Sequence, residues 1–210
     1  MAKLQLACDM VELDDLLKMM PELIKHVDIF EMGTPFCLRY GIRGIQKVHE
    51  AFPDATLLAD IKIFDGGGAE SLMYTQSGAS YVTVMSRTND LTIKACADAC
   101  HASNAQCVVD MMCELDFEKR APELEALGAD ILAVHVAYDD YMATGLTPLK
   151  SLEALSKVVM KARTAVAGGI KLENVKDYLK FKPEIVIVGG SILGSEAPVD
   201  AARKFAEAIH

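Results

Sequence analysis

The sequence contains no tryptophan, and aromatic residues make up only 6% of it. It also lacks a basic run: 21 Lys and Arg residues stand against 30 Asp and Glu residues, which gives a formal net charge of −9. Because such a chain repels phosphodiester backbones, we expect no nucleic-acid partner. No apolar stretch approaches the roughly 20 residues that a membrane-spanning helix needs, so we expect no membrane association either.

Cysteine pairs of the CxxC type are absent although the chain has six cysteines, which argues against a zinc site or a disulfide framework. Asp9 comes too early for the apolar core of a secretory signal. We therefore expect a cytoplasmic protein whose thiols are reduced and mostly buried. The glycine patterns of dinucleotide and P-loop sites are absent too, so neither NAD nor ATP is indicated.

Hydrophobic residues, at 51% of the 210, are concentrated in short runs at a steady interval. The runs are continuous rather than alternating, which is typical of strands that are buried on both faces of a parallel sheet. They predict eight strands, at residues 4–8, 27–32, 56–61, 81–85, 107–111, 131–136, 164–167 and 185–188.

Helical patterns lie between the predicted strands. Leu13, Leu16, Leu17 and Met20 follow the i, i+3, i+4, i+7 spacing of one helix face. No linker or low-complexity tract interrupts the series, so residues 1–210 are interpreted as one domain. Eight βα units in 210 residues favour an α/β fold of the (β/α)₈ TIM barrel type, with a doubly wound sheet as the alternative.

Polar residues end several of the apolar runs. In either fold these ends lie on the face where α/β proteins place their chemistry. Taken singly, each residue has the alternative interpretation of a solvated strand end or a helix N-cap. The residues are Asp9, Glu31, Asp60, Lys62, Asp110 and His135.

Asp60 and Lys62 are two residues apart in a predicted strand, so their side chains share one face. A structural ion pair is the alternative to a reactive one. Asp65 follows the strand and precedes three glycines, so a flexible loop could carry its carboxylate to the site or across a subunit boundary. Taken alone, Asp65 is typical of a turn or N-cap.

Glu31 and Asp60 offer hard oxygen ligands on neighbouring strands, a pattern that suits Mg²⁺ but equally suits substrate hydroxyls. His135 ends an apolar run and is a candidate general acid/base, although a lone histidine there is as often a core residue.

Two Gly-Gly turns follow the seventh and eighth predicted strands, at Gly168-Gly169 and Gly189-Gly190. Glycine lets backbone N–H groups approach an anion closely, and in barrels these two loops often bind phosphate. A tight turn without a ligand would explain one such pair, whereas two pairs indicate a phosphorylated substrate.

The pattern Asp60-x-Lys62-x-x-Asp65 resembles a motif of the orotidine-5′-phosphate decarboxylase suprafamily. The closest resemblance is to its branch of 3-hexulose-6-phosphate synthases and 3-keto-L-gulonate-6-phosphate decarboxylases (KGPDC). The likeness covers nearly the whole chain. Its other carriers are residues 4–9, 31–35, 109–111, 135–139, 164–172 and 186–190.

This resemblance implies a (β/α)₈ barrel that forms a homodimer, in which Asp65 completes the partner's site. It implies Mg²⁺ held by Glu31 and Asp60, and chemistry through a Mg²⁺-stabilised 1,2-enediolate of a sugar phosphate. The implied roles are proton transfer at His135, catalysis with Lys62 and Asp65, and substrate binding by Asp9, Asp110, Gly168, Gly169, Gly189 and Gly190.

Within that branch, Tyr138 and Gly190 stand where the decarboxylases carry arginines, and Asp110 replaces their glutamate. These positions favour an aldolase of the synthase type, which condenses formaldehyde with D-ribulose 5-phosphate. Two pairs near the mouth depart from the synthase pattern, Val136-Ala137 and Met85-Ser86. The alternatives are decarboxylation of 3-keto-L-gulonate 6-phosphate and a non-catalytic barrel that binds sugar phosphates.

Overall fold

The computed structural model describes residues 1–210, in which eight parallel strands close into a barrel with β8 paired to β1. The strands are β1 (Lys3–Ala7), β2 (Ile29–Met32), β3 (Leu57–Ile63), β4 (Tyr81–Met85), β5 (Gln106–Asp110), β6 (Ile131–His135), β7 (Arg163–Ala167) and β8 (Ile185–Val188). The helices are α1 (Leu13–Leu23), α2 (Thr34–Ala51), α3 (Gly67–Thr75), α4 (Asp90–Ala102), α5 (Phe117–Ala126), α6 (Tyr138–Thr144), α7 (Leu149–Val158), α8 (Val175–Leu179), α9 (Gly190–Leu193) and α10 (Pro198–Ile209). The predicted (β/α)₈ barrel is confirmed, and closure of the sheet excludes the doubly wound alternative.

Apolar side chains form two separate layers. A cluster of 46 buried residues, among them Leu4 and Leu6, lies between the strands and the helices. A second cluster of eight buried residues fills the barrel interior and takes at least one member from each of β2 to β8. Burial on both faces explains why the strands are nearly continuous apolar runs in the sequence.

On β2 to β6 the inward-facing residues change from apolar to polar toward the carboxyl end of the barrel. Ile29 belongs to the inner cluster and Glu31 follows it on β2; Val108 and Asp110 are related in the same way on β5. Residues i and i+2 of a strand point to the same side. The apolar set therefore fills the middle of the barrel, and the polar set lines its carboxyl end.

The pairing of β3 with β4 is irregular near the carboxyl end of the barrel. Ala59 pairs with Val82, but the next pair is Ile63 with Val84. Three residues of β3 therefore lie opposite Thr83 alone, and Lys62 adopts a positive φ of 47°. This bulge lets β3 extend to Ile63, two residues beyond the predicted strand end.

Other details differ from the sequence prediction by local causes. The strand predicted from residue 27 begins at Ile29, because the Asp28 carboxylate accepts the Leu4 N–H at 2.8 Å. The apolar patterns in the sequence do not predict helices α6 and α9. Five cysteines are buried and Cys113 is exposed. None of the helices has the length and apolar character to cross a bilayer.

Candidate active site

Six of the polar residues singled out in the sequence lie at the carboxyl end of the barrel. Glu31, Asp60 and Asp110 are each at most 8% exposed, so their carboxyl groups are largely removed from contact with water. Buried charges need partners, because desolvation disfavours them strongly. The contacts of each residue therefore show how the site is built.

Glu31 on β2 is held from β1. The Gln5 amide donates Nε2–H to Glu31 Oε2 at 2.7 Å, and both residues are buried. Burial, with the charge of Asp60 beside it, raises the pKa of Glu31 to about 8. At neutral pH without a cation Glu31 is therefore largely protonated, because its ionised form would be buried beside the Asp60 charge.

Asp60 and Lys62 on β3 form an ion pair, as their spacing predicted. The Thr34 hydroxyl contacts Asp60 Oδ2 at 2.9 Å, and Lys62 Nζ donates to Thr34 Oγ1 at 3.1 Å. Burial alone would lower the pKa of Lys62, but the charges of Asp60 and Asp110 raise it. The ammonium group therefore stays protonated in the middle of the site.

His135 on β6 is paired with Asp110 on β5. His135 Nδ1 lies 2.9 Å from Asp110 Oδ2, and the other carboxylate oxygen accepts the Met112 N–H at 2.9 Å. A carboxylate only accepts hydrogen bonds, so Nδ1 carries the hydrogen and Nε2 is left free to take a proton. Both Asp110 oxygens are therefore engaged within the chain, a relationship that the sequence does not predict.

The pKa values of this pair diverge. Burial opposes ionisation of both groups, but their mutual hydrogen bond and attraction prevail. They lower the pKa of Asp110 and raise the pKa of His135 above its ordinary value. Such divergence is typical of functional sites.

Asp9 follows β1 and lies beside Gly33. A Cβ on Gly33 would overlap Asp9 Oδ1, so only glycine leaves room for this carboxylate. Burial and the charge of Asp60 raise the pKa of Asp9. Neither Gly33 nor Gln5 was predicted as a site residue from the sequence, because the importance of each depends on a neighbouring strand.

The two glycine turns lie on the same face. Gly168 and Gly169 have φ values of 111° and 63°, in the left-handed region that favours glycine. The N–H groups of Gly168, Gly169 and Gly189 donate no hydrogen bond within the chain. A Cβ on Gly189 would lie 3.6 Å from Asp9 Oδ2, which places this turn beside the carboxylate cluster, while the surroundings of Gly190 are open.

Asp65 lies apart from the other candidates. It is exposed, and its Oδ1 accepts the N–H of Gly66 at 2.7 Å. No hydrogen bond joins it to the residues at the barrel mouth. A single chain therefore does not bring Asp65 into the cluster.

A divalent cation fits the donors that are present. Glu31 and Asp60 offer hard oxygen atoms, and the repulsion between them is the kind that a cation relieves. No group of three or more His, Cys, Asp or Glu side chains is arranged to hold a metal. Two protein carboxylates with substrate and water completing the shell match the way Mg²⁺ is commonly bound.

Comparison with known proteins gives full-length matches. A model described as the Orotidine 5'-phosphate decarboxylase / HUMPS family matches residues 2–205. The 3-hexulose-6-phosphate synthase of Bacillus subtilis (strain 168) is 37% identical over 207 residues, which cover 99% of this chain and 98% of the relative.

Solved structures show the same pattern. The crystal structure of 3-hexulose-6-phosphate synthase from Salmonella typhimurium matches with a TM-score of 0.95 and 43% identity, over 99% of this chain and 98% of the other. A crystal structure of KGPDC from Streptococcus mutans, solved as a ligand complex, matches with a TM-score of 0.91 and 25% identity, over 99% and 97%. The barrel is thus shared with both, and the sequence is more similar to the first.

Proposed function

The chain belongs to the orotidine 5'-phosphate decarboxylase / HUMPS family, and on this basis we propose that it is an aldehyde-lyase of the 3-hexulose-6-phosphate synthase type. It would condense formaldehyde with D-ribulose 5-phosphate. The observation that carries the proposal is the His135–Asp110 pair, which leaves His135 Nε2 free at the mouth of the barrel. The sequence of this barrel is 43% identical to that of such a synthase. This arrangement suits removal of a proton next to a carbonyl group.

In the proposed reaction, His135 Nε2 removes a proton from C1 of the sugar phosphate. The electron pair of the broken C–H bond delocalises into the adjacent carbonyl and gives a 1,2-enediolate. C1 then forms a bond to the formaldehyde carbon, and the formaldehyde oxygen takes up the proton. No proton is consumed overall, so one histidine serves as base and then as acid.

Asp110 and Lys62 prepare the site for this transfer. Asp110 fixes the His135 ring through Nδ1 and stabilises its protonated form. Lys62 places a positive charge close to Asp60 and Asp110, where it can offset the negative charge that develops on the enediolate oxygens. Preorganised charge in a buried site is worth more than it is in water.

Glu31 and Asp60 would hold Mg²⁺ in the proposed site. When bound, the ion supplies positive charge near the sugar oxygens. Gln5 and Thr34 keep the two carboxylates in place through hydrogen bonds of 2.7 and 2.9 Å.

The substrate phosphate would bind at the two glycine turns. The unpaired N–H groups of Gly168, Gly169 and Gly189 are donors for an anion, and the open surroundings of Gly190 leave space for it. Asp9 lies between these turns and the charged cluster, where its carboxylate would orient a sugar hydroxyl. Holding the phosphate at one end positions the reacting carbons at the other.

A homodimer would bring Asp65 to a second copy of the site. The face that carries the site also carries exposed apolar side chains just beyond β2 to β5. These are Leu38 (82% exposed), Phe64 (64%), Leu91 (78%) and Leu115 (89%). Contact between two such faces would bury them and place the exposed Asp65 carboxylate at the partner's mouth.

A direct assay tests the function. Purified protein is incubated with Mg²⁺, ribulose 5-phosphate and formaldehyde, and the loss of formaldehyde is followed. A parallel sample contains 3-keto-L-gulonate 6-phosphate, and its release of CO₂ is followed. Formaldehyde consumption that stops with EDTA and resumes with excess Mg²⁺ is the expected result. CO₂ release alone would replace the proposal with the decarboxylase. Ligand-induced stabilisation without turnover in either sample would favour a sugar-phosphate-binding barrel.

A further inference from the structure

Thr83 on β4 connects the two charged residues of β3 through a single hydroxyl group. Its Oγ1 donates a hydrogen bond to Asp60 Oδ1 at 2.9 Å and accepts the backbone N–H of Lys62, also at 2.9 Å. The residue is only 5% exposed, so no water replaces these bonds. A hydroxyl has one donor and two acceptor positions, and both kinds are used here.

The backbone of Lys62 needs such a partner. Its φ of 47° is unusual for a residue with a side chain, because the left-handed region crowds Cβ against the backbone. The register shift between β3 and β4 also takes its N–H out of the ladder. The Thr83 hydroxyl satisfies this N–H, so the strained conformation that presents the Lys62 side chain depends on one side-chain contact from the neighbouring strand.

Thr34 and Thr83 hold different parts of the ion pair. Thr34 contacts Asp60 Oδ2 and the Lys62 ammonium group, whereas Thr83 contacts Asp60 Oδ1 and the Lys62 backbone. Both oxygens of Asp60 are thus fixed by threonines from adjacent elements. Loss of Thr83 would leave the ion pair formed but free to shift as a unit.

We propose that Thr83 is a positioning residue for the reaction, holding the Asp60 carboxylate and the Lys62 backbone in the geometry that aims the Lys62 ammonium at the reacting oxygens. The inference rests on the proposed function for its kinetic consequence. Its structural part, the support of the Lys62 backbone, is independent of which reaction the site performs.

The kinetic test compares Thr83→Val, which keeps the shape and removes the hydroxyl, with Thr83→Ser, which restores it. We expect Thr83→Val to lower kcat roughly 10- to 100-fold, which is usual when a residue that hydrogen-bonds to a functional side chain and holds it in place is lost. The KM for ribulose 5-phosphate should stay within about threefold, because the phosphate binds at the glycine turns. Thr83→Ser should recover kcat to within about threefold of the unaltered protein.

Thr164→Val is the matched control, since Thr164 is a buried threonine on β7 outside the charged cluster. It should leave kcat and KM unchanged. A Thr83→Val protein with kcat within about twofold of the unaltered protein would overturn the proposal, and so would an equal loss in Thr83→Ser. If valine at this position prevents folding, Thr83→Ala and Thr83→Ser give the same comparison, because they differ from each other only in the hydroxyl oxygen.

Amide hydrogen exchange provides a readout that needs no turnover. In ¹⁵N-labelled protein we expect the Lys62 N–H to be protected, to lose at least about tenfold of that protection in Thr83→Val, and to regain it in Thr83→Ser. Unchanged protection in Thr83→Val would refute the structural part of the proposal. Absence of formaldehyde consumption by the unaltered protein would refute the proposed function while this exchange comparison still decides the role of Thr83.

Discussion

His135 and Asp110 face each other across adjacent strands, with Nδ1 and Oδ2 separated by 2.9 Å. The register between β5 and β6 places Asp110 opposite Ala133, so His135 lies one inward-facing position further toward the mouth. The Asp110 carboxylate therefore contacts the His135 ring from the side of the barrel interior, and Nε2 is directed away from the carboxylate. This relationship makes the histidine the most testable element of the site.

Replacing His135 with alanine should strongly slow the exchange of the C1 proton of ribulose 5-phosphate with solvent. A general base contributes roughly 10²- to 10⁴-fold to a rate, so we expect a loss in that range. The measurement is loss of the C1 proton signal by NMR in D₂O, with the melting temperature as a check on folding. Full exchange by a folded His135→Ala protein would remove the histidine from the mechanism.

The pH dependence should report the Asp110 contact. His135 acts as a base only when neutral, and its raised pKa means that kcat/KM falls as the pH drops through a value above 6.5. Asp110→Asn removes the carboxylate that raises the pKa of His135, whereas burial, which lowers the pKa of His135, remains. The charged groups near His135 are then Asp60, Lys62 and Asp9. We expect the acidic limb of the profile to move to lower pH.

The control for this profile is Asp98→Asn, which removes an exposed carboxylate on α4 and should leave the limb where it is. An acidic limb that stays in place in Asp110→Asn would show that another group controls it.

Gly169→Ala should weaken phosphate binding and destabilise the fold. A side chain there is strained by φ 63° and would overlap the Tyr141 ring. We expect a loss of about 1–3 kcal/mol in the free energy of unfolding, measured by urea denaturation, and a KM raised roughly tenfold. Gly145→Ala is matched for backbone strain, at φ 69°, but meets no neighbour within 4 Å. It should cost less stability and leave KM unchanged; equal effects of the two substitutions would contradict a specific role for the Gly169 turn.

Mixing two inactive variants should restore activity if Asp65 acts across the subunit boundary. In a heterodimer of Asp65→Ala and His135→Ala protomers, one of the two sites has both residues intact. Random exchange of equal amounts would return about a quarter of the original activity. The variants are mixed under conditions that dissociate and then re-form the proposed dimer, and formaldehyde consumption is measured. If demonstrated heterodimers recover no activity, Asp65 either acts within its own chain or has no role in the reaction.

The sequence predicted the barrel well because burial on both faces leaves a simple trace, a run of apolar residues followed by one polar residue. It identified Asp60 and Lys62 because their relationship is local, two positions along one strand. It missed Thr83 and Gly33 because their importance arises from strand register, which brings residues over 20 positions apart into contact. Helix α6 was missed because its seven residues include none that is buried, so it carries no apolar periodicity.

The pairing of Asp110 with His135 shows the same limit. Both residues were selected from the sequence, but as separate candidates, with Asp110 assigned to the substrate. Only the β5–β6 register shows that they share a hydrogen bond. Whether Asp110 also touches the substrate stays a prediction.

The division of the barrel interior into an apolar middle and a polar mouth has a consequence for how such a protein changes over evolutionary time. Most of the residues that stabilise the fold are outside the set that lines the mouth. Substitutions at the mouth can therefore alter chemistry without removing the driving force for folding. The apolar middle would keep the barrel closed when a single residue at the mouth is replaced.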